Sequence, residues 1–89
     1  MFGYYISCQC QNNDGDEINV DVPVKFKDQD QYEILEGDGF DMLYEHFNKW
    51  LKTNGYDDYF VDDQPEQCRP IADCEFPANS LNLTYLNVV

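Results

Sequence analysis

The chain has 89 residues, of which eighteen are Asp or Glu and five are Lys or Arg, giving a formal charge of −13 at neutral pH. That charge argues against direct binding to nucleic acid or to an anionic membrane, whose phosphates repel it. Seven Tyr, six Phe and one Trp argue in turn against the disorder usual in acidic chains with few aromatics, so residues 1–89 are expected to form one small domain that buries somewhat more than ~60% of its unfolded surface.

Over residues 2–9, Phe2, Tyr4, Ile6 and Cys8 alternate with Gly3, Tyr5, Ser7 and Gln9, the two-residue period of a strand. Asp14-Gly15 in a polar run supplies turn chemistry. Ile18, Val20, Val22, Val24 and Phe26 alternate again over 17–26, which predicts a hairpin. Pro23 has no N–H to give to a ladder and places the second strand at a sheet edge. Residues 27–39 are acidic, with Tyr32, Ile34 and Leu35 as apolar anchors, and read as a loop or short helical turn. Phe40, Leu43, Tyr44, Phe47, Trp50 and Leu51 then follow helical spacing. With Asp38 as N-cap, Lys49 and Lys52 in the last turns and Asn54-Gly55 as the stop, a helix is predicted over roughly 40–53. Pro65, Pro70 and Pro77 make 56–80 a run of loops, with at most a short strand or helical turn near Tyr59-Phe60-Val61, and Leu81–Val88 reads as a final strand. The expected fold is α+β: a small antiparallel sheet made of the N-terminal hairpin and the C-terminal strand, first strand in the middle, with one main helix packed on one face.

The charge falls in two blocks. Residues 14–41 hold ten acids and net −8, and residues 56–75 hold seven acids and net −6. The stretch 42–55 nets +1, and residues 1–13 and 76–89 carry no charged side chain. Within a radius of gyration of roughly 12 Å, like charges repel over one or two Debye lengths. Such acidity costs stability, and it points to solubility, a salty habitat or a strongly basic partner. The N-terminal MFGYYISCQC lacks the basic and apolar regions of an export signal, and no stretch of about 18 apolar residues occurs. A cytoplasmic protein is expected, in its own cell or in an infected bacterial host, with its cysteines as free thiols.

Cys8-x-Cys10 and Cys68-x5-Cys74 supply four sulfurs, enough for a zinc ion, but neither spacing is that of a structural site. A Cys68–Cys74 disulfide is the alternative to free thiols. His46 stands alone, without the nucleophile and orienting partner a general base needs, and is expected at the surface. Asp28-x-Asp30 opens like a calcium loop, but Tyr32, Glu33 and Gly39 fall where a ligand, the required Gly and the final Glu belong. No catalytic residue, metal site or cofactor is therefore expected, and the chain reads as a binding protein rather than an enzyme.

The most distinctive stretch is Tyr56-Asp57-Asp58-Tyr59-Phe60-Val61-Asp62-Asp63. If extended, its alternate carboxylates stand about 6.5–7 Å apart, close to phosphate spacing on one nucleic-acid strand. The expected partner-binding residues are Asp57, Asp58, Asp62, Asp63, Glu66, Glu33, Glu36 and Asp38, with Tyr56 and Tyr59 as aromatic anchors of the kind enriched at hot spots. Small size, strong acidity and aromatic content resemble the nucleic-acid-mimicking inhibitors encoded by phages and mobile elements, including many anti-CRISPR proteins. The resemblance is compositional and carries no motif. It implies a stoichiometric inhibitor, monomer or homodimer, that covers the basic nucleic-acid channel of a CRISPR effector or another defence protein. Alternatives are an immunity protein or antitoxin neutralising a basic nuclease, a small enzyme or metal-binding protein using the cysteines or paired carboxylates, and a halophile's housekeeping domain.

Overall fold

In the computed structural model, which describes residues 2–86, the α+β architecture takes the form of a five-stranded sheet with two helices on one face. Strands β1 (Phe2–Asn12) and β2 (Glu17–Phe26) form the antiparallel hairpin, with Ile6 opposite Val22 and Cys8 opposite Val20. Asn12 organises the turn between them: its Oδ1 accepts from the N–H groups of Asp14 and Asp16 at 3.0 and 2.9 Å, and Gly15 supplies the left-handed residue at φ 86°. β1 is central. Along its other edge lie β3 (Tyr59–Val61), opposite Cys10–Asn12, and β4 (Glu66–Pro70), opposite Tyr4–Ser7 with a register shift between Tyr5 and Ile6. The short strand at Tyr59–Val61 was legible from its apolar centre; β4 was hidden by its flanking prolines and its exposed residues.

β2 does lie at the edge for most of its length. The carbonyl of Lys25 accepts from Leu83 N–H at 2.9 Å on the side away from β1. By alternation, the nitrogen of Pro23 points the same way and removes no bond to β1. Only Val24 and Lys25 are paired there, in parallel, by β5 (Leu81–Asn82). The predicted C-terminal strand is thus two residues long. Asn82 ends it by an Asx turn, its Oδ1 accepting from Thr84 N–H at 3.0 Å, and Leu86 N–H closes onto Leu83 O at 3.0 Å. Asn87 and Val88, predicted as the end of that strand, lie outside the described residues.

Residues 27–39, expected as a loop or short helical turn, contain a nine-residue helix, α1 (Gln29–Gly37). Asp28 is its N-cap, accepting from Gln31 N–H at 2.9 Å, and Asp30 adds favourable charge to the first turn. Its buried stripe is narrow, essentially Tyr32 and Leu35 with the amide of Gln31, too few apolar positions to register as a helical period. Asp38 is therefore the C-cap of α1 and not the N-cap of the next helix. Gly39 and Phe40 follow in left-handed conformation at φ 67° and 60°. For Phe40 this costs about 1–2 kcal/mol, offset by burying its ring beside Tyr32, with centroids 6.0 Å apart. A 3₁₀ turn at Asp41–Leu43 leads into α2 (Tyr44–Thr53), so the predicted helix begins four residues late.

The two helices divide the core face of the sheet. Tyr32 of α1 stacks on Tyr4 at 4.5 Å and meets Phe2 and Phe26 edge-on. α2 covers the other end with Phe47, Trp50 and Leu51, and its Asn48 Oδ1 accepts from Val61 N–H at 2.8 Å. No helix among the described residues is long and apolar enough to cross a membrane.

Gln31 is the one buried polar residue among these described elements. It accepts from Lys27 N–H at 2.8 Å and donates to the carbonyls of Leu83 and Leu86 at 2.7 and 3.1 Å, tying α1 to the C-terminal segment. Gln31→Leu strands those groups, and a loss of about 2 kcal/mol is expected, measurable as a lower urea midpoint at unchanged m-value.

Candidate partner-binding surface

The face of the sheet opposite the helices is set by the same alternation that builds the core. Tyr5, Ser7 and Gln9 of β1 stand there opposite Pro23, Asp21 and Asn19 of β2, and Glu66 of β4 joins opposite Ser7. This face is electrically polarised. At the Gly3 end, the Arg69 guanidinium lies 4.0 Å from the centre of the Tyr5 ring and the Lys25 ammonium 5.3 Å from that of Phe76. Gly3 is required beneath Phe76, since a Cβ there would collide with the ring. At the other end an open polar trough of about 220 Å³ is lined by Ser7, Gln9, Asn19, Asp63, Gln64 and Glu66.

Parts of the two acidic blocks meet at that second end and along the adjoining β3–β4 edge, while Asp28, Asp30, Glu33 and Glu36 stay with α1 and the second block runs on past Ile71 to Glu75, beside Phe76 at the Gly3 end. Asn12 pairs with Tyr59, so Asp57 and Asp58 lie beside the hairpin turn that carries Asp14, Asp16 and Glu17. The N–H groups of Asp62 and Asp63 reach the Gln9 carbonyl at 2.8 and 3.5 Å, holding both acids against β1 between β3 and β4. Gly39 lies so close to Gln64 that a Cβ would strike its amide, which brings the end of the first block against the second. Burial first, and then the carboxylates of Asp41 and Asp63, push the Tyr44 phenol above its ordinary value, so both acids act on one ring.

Asp57, Asp58, Asp62, Asp63 and Glu66 are thus brought together, all exposed. Asp38 sits at the junction through Gly39. Glu33 and Glu36 are set back on α1, and Glu36 accepts from the Tyr32 hydroxyl at 2.5 Å. The stretch Tyr56–Asp63 is not one extended row. Only Tyr59–Val61 is a strand, with Asp57-Asp58 in the turn before it and Asp62-Asp63 after it. From Asp58 to Asp62 is four residues, about 13 Å at strand rise.

Tyr56 and Tyr59 are half-buried and pack edge-on to each other at 6.4 Å, so they anchor the segment rather than project from it. The aromatic that the surface presents is Phe60, 41% exposed and paired with Gln11 on the helix-free face. Sequence reasoning passed over it, although in a three-residue strand the middle residue must face opposite to its neighbours.

The cysteines are all free. Cys8 and Cys10 are fully buried on the core face, while Cys68 is exposed with its Sγ 3.9 Å from Asp21 Oδ2, on the far face. The four sulfurs are not gathered into one set, and among the described residues no group of three or more His, Cys, Asp or Glu is placed to hold a metal ion. Comparison with family models, curated proteins and solved structures finds no match to this chain.

Burial, followed by the charges of Cys10 and Asp21, raises the Cys8 thiol from 9.0 to about 12, and burial raises Cys10 as well. Thiolate is the reactive form, so buried Cys8 and Cys10 should react with Ellman's reagent at pH 8 only after unfolding, whereas Cys68 and Cys74, which are exposed, should be reached in the native protein. Between 9.0 and about 12 the unfolded chain releases the Cys8 proton that the folded chain keeps. Stability is therefore full below that window and falls as pH rises through it. Urea midpoints measured from pH 8 to 11 should decline, and Cys8→Ala should flatten the decline.

Proposed function

We propose that this chain is a small stoichiometric inhibitor of the anti-CRISPR, DNA-mimicking kind, which occupies the basic nucleic-acid-binding surface of a CRISPR effector or another defence protein and so blocks nucleic-acid binding. The observation that carries the reading is the meeting, on one sheet edge, of parts of two acidic blocks distant in sequence: the hairpin acids of the first and Asp57–Glu66 of the second. Asp57, Asp58, Asp62, Asp63 and Glu66 run along it around the exposed ring of Phe60, and the hairpin acids Asp14, Asp16 and Glu17 extend it. Arg69 and Lys25 are held at the other end of the sheet by their aromatic partners.

Such a surface suits a groove lined by Lys and Arg. Its field speeds encounter with a basic partner, and once seated its carboxylates take the positions of phosphates, so protein and nucleic acid exclude each other. Phe60 supplies the apolar contact that a purely electrostatic complex lacks. The backbone beneath the acids is fixed by neutral residues, Gln9, Asn12 and Asn48, so the charge is presented on a scaffold that does not rely on it.

The test is capture from a bacterial lysate on the immobilised chain, with elution by a salt gradient. Proteins that bind nucleic acid are expected, released as salt rises and displaced by duplex DNA. Replacing Asp57, Asp58, Asp62 and Asp63 together by Lys should leave the circular dichroism spectrum unchanged and weaken capture on the order of 100-fold at physiological salt. Capture that survives the four reversals, or that selects proteins without a basic nucleic-acid site, would sink the reading.

A further inference from the structure

On the opposite edge of the sheet, beside β5, a cleft of about 390 Å³ opens between α2 and residues 79–86. Its walls are apolar where they are deepest: Trp50 from the helix, and Leu81, Leu83 and Leu86 from the C-terminal segment. They are braced across the cleft and behind it. Trp50 Nε1 donates to Asn79 O at 2.7 Å, Asn79 Nδ2 donates to Asn54 Oδ1 at 2.8 Å, and Gln31 holds the carbonyls of Leu83 and Leu86. The volume is more than twice the ~150 Å³ of a cavity that admits benzene and falls within the ~300–1,000 Å³ of small-molecule sites.

The rim has a definite charge. His46 and Lys49, three residues apart on α2, line this cleft and also the hollow next to it, where Lys52 and Glu45 stand. In a chain of −13, the stretch 42–55 that carries them nets +1. An apolar chamber with Lys49 at its mouth, and Lys52 beside Glu45 in the next hollow, selects an amphipathic anion: a cation is repelled by Lys49, and a neutral apolar molecule leaves that lysine without a partner. A phosphate dianion meets the repulsive field of the whole chain with twice the charge of a carboxylate.

We propose that this cleft binds a small amphipathic carboxylate, its ring or hydrocarbon body against Trp50 and the leucines and its carboxylate at Lys49 and His46. The site is independent of the acidic edge and faces the other way. The test is an NMR titration of the full chain with 2-naphthoate, and with 2-naphthamide as the neutral counterpart. Saturable shifts are expected at the Trp50 indole N–H and at the amides of residues 80–83, with the amide compound binding on the order of tenfold more weakly. Lys49 is exposed, so Lys49→Glu leaves the fold intact and should weaken naphthoate on the order of tenfold, whereas Arg69→Glu, the same charge change on β4 at the other edge of the sheet, should not. Absence of saturation, shifts confined to other residues, equal binding of acid and amide, or equal binding by the two variants each overturns the proposal.

Discussion

Strands β2, β3 and β4 are all hung on the two edges of β1, which carries no charged side chain. Its even residues meet β2, and its odd residues turn their backbone to the other side, where Gly3 O accepts from Ile71 N–H and Gln9 O from Asp62 N–H. A two-stranded hairpin alone is marginal in water. β3 and β4 complete the ladder on the second edge, and that is what lets so short a chain hold a buried layer of Ile6, Cys8, Cys10, Val22 and Val24. Register on β1 is fixed because a slip of one residue would move Ser7 and Gln9 into the core. The two cysteines serve here as small apolar residues beneath the helices.

The same strand determines where the charge can go. With residues 2–12 neutral and α2 nearly so, the acids are left to the hairpin turn, the outer sides of α1, the β3–β4 edge and the helix-free face. A few have local structural roles: Asp28 caps α1, Asp16 accepts from the Asn12 amide, and Glu36 accepts from Tyr32. The carboxylates of Asp57, Asp58, Asp62 and Glu66 are exposed on backbone that neutral groups hold in place. Mutual repulsion among them is a cost the fold bears, and this separation between scaffold and display is the physical content of the functional reading.

Much of this was legible because it rests on short-range pattern. The hairpin follows from alternation, the edge position of β2 from Pro23, and most of α2 from the spacing of Phe47, Trp50 and Leu51. α1 escaped because it buries too few apolar side chains and owes its place to Gln31, whose partners are 52 and 55 residues away. The start of α2 was misplaced because a left-handed Phe40 is not a local preference; it is held by the packing of its ring against Tyr32. Phe60 as the exposed aromatic was readable from strand parity. The cleft beside Trp50 was not, since half of its wall is a segment whose path depends on contacts with α2 and α1.

The sequence by itself determined the fold class, the neutrality of the central strand, and the confinement of the charge to two blocks. These depend on side-chain period and composition, which act over a few residues. Only the tertiary structure decided that parts of the two blocks meet on one edge, that the Asp57–Asp63 stretch is broken by its short strand into two groups, and that an apolar cleft with Lys49 at its rim lies on the other side. The reason is that strand pairing across β1 joins residues some fifty apart, Asn12 with Tyr59 and Ser7 with Glu66, and no local pattern encodes which distant segments will share an edge.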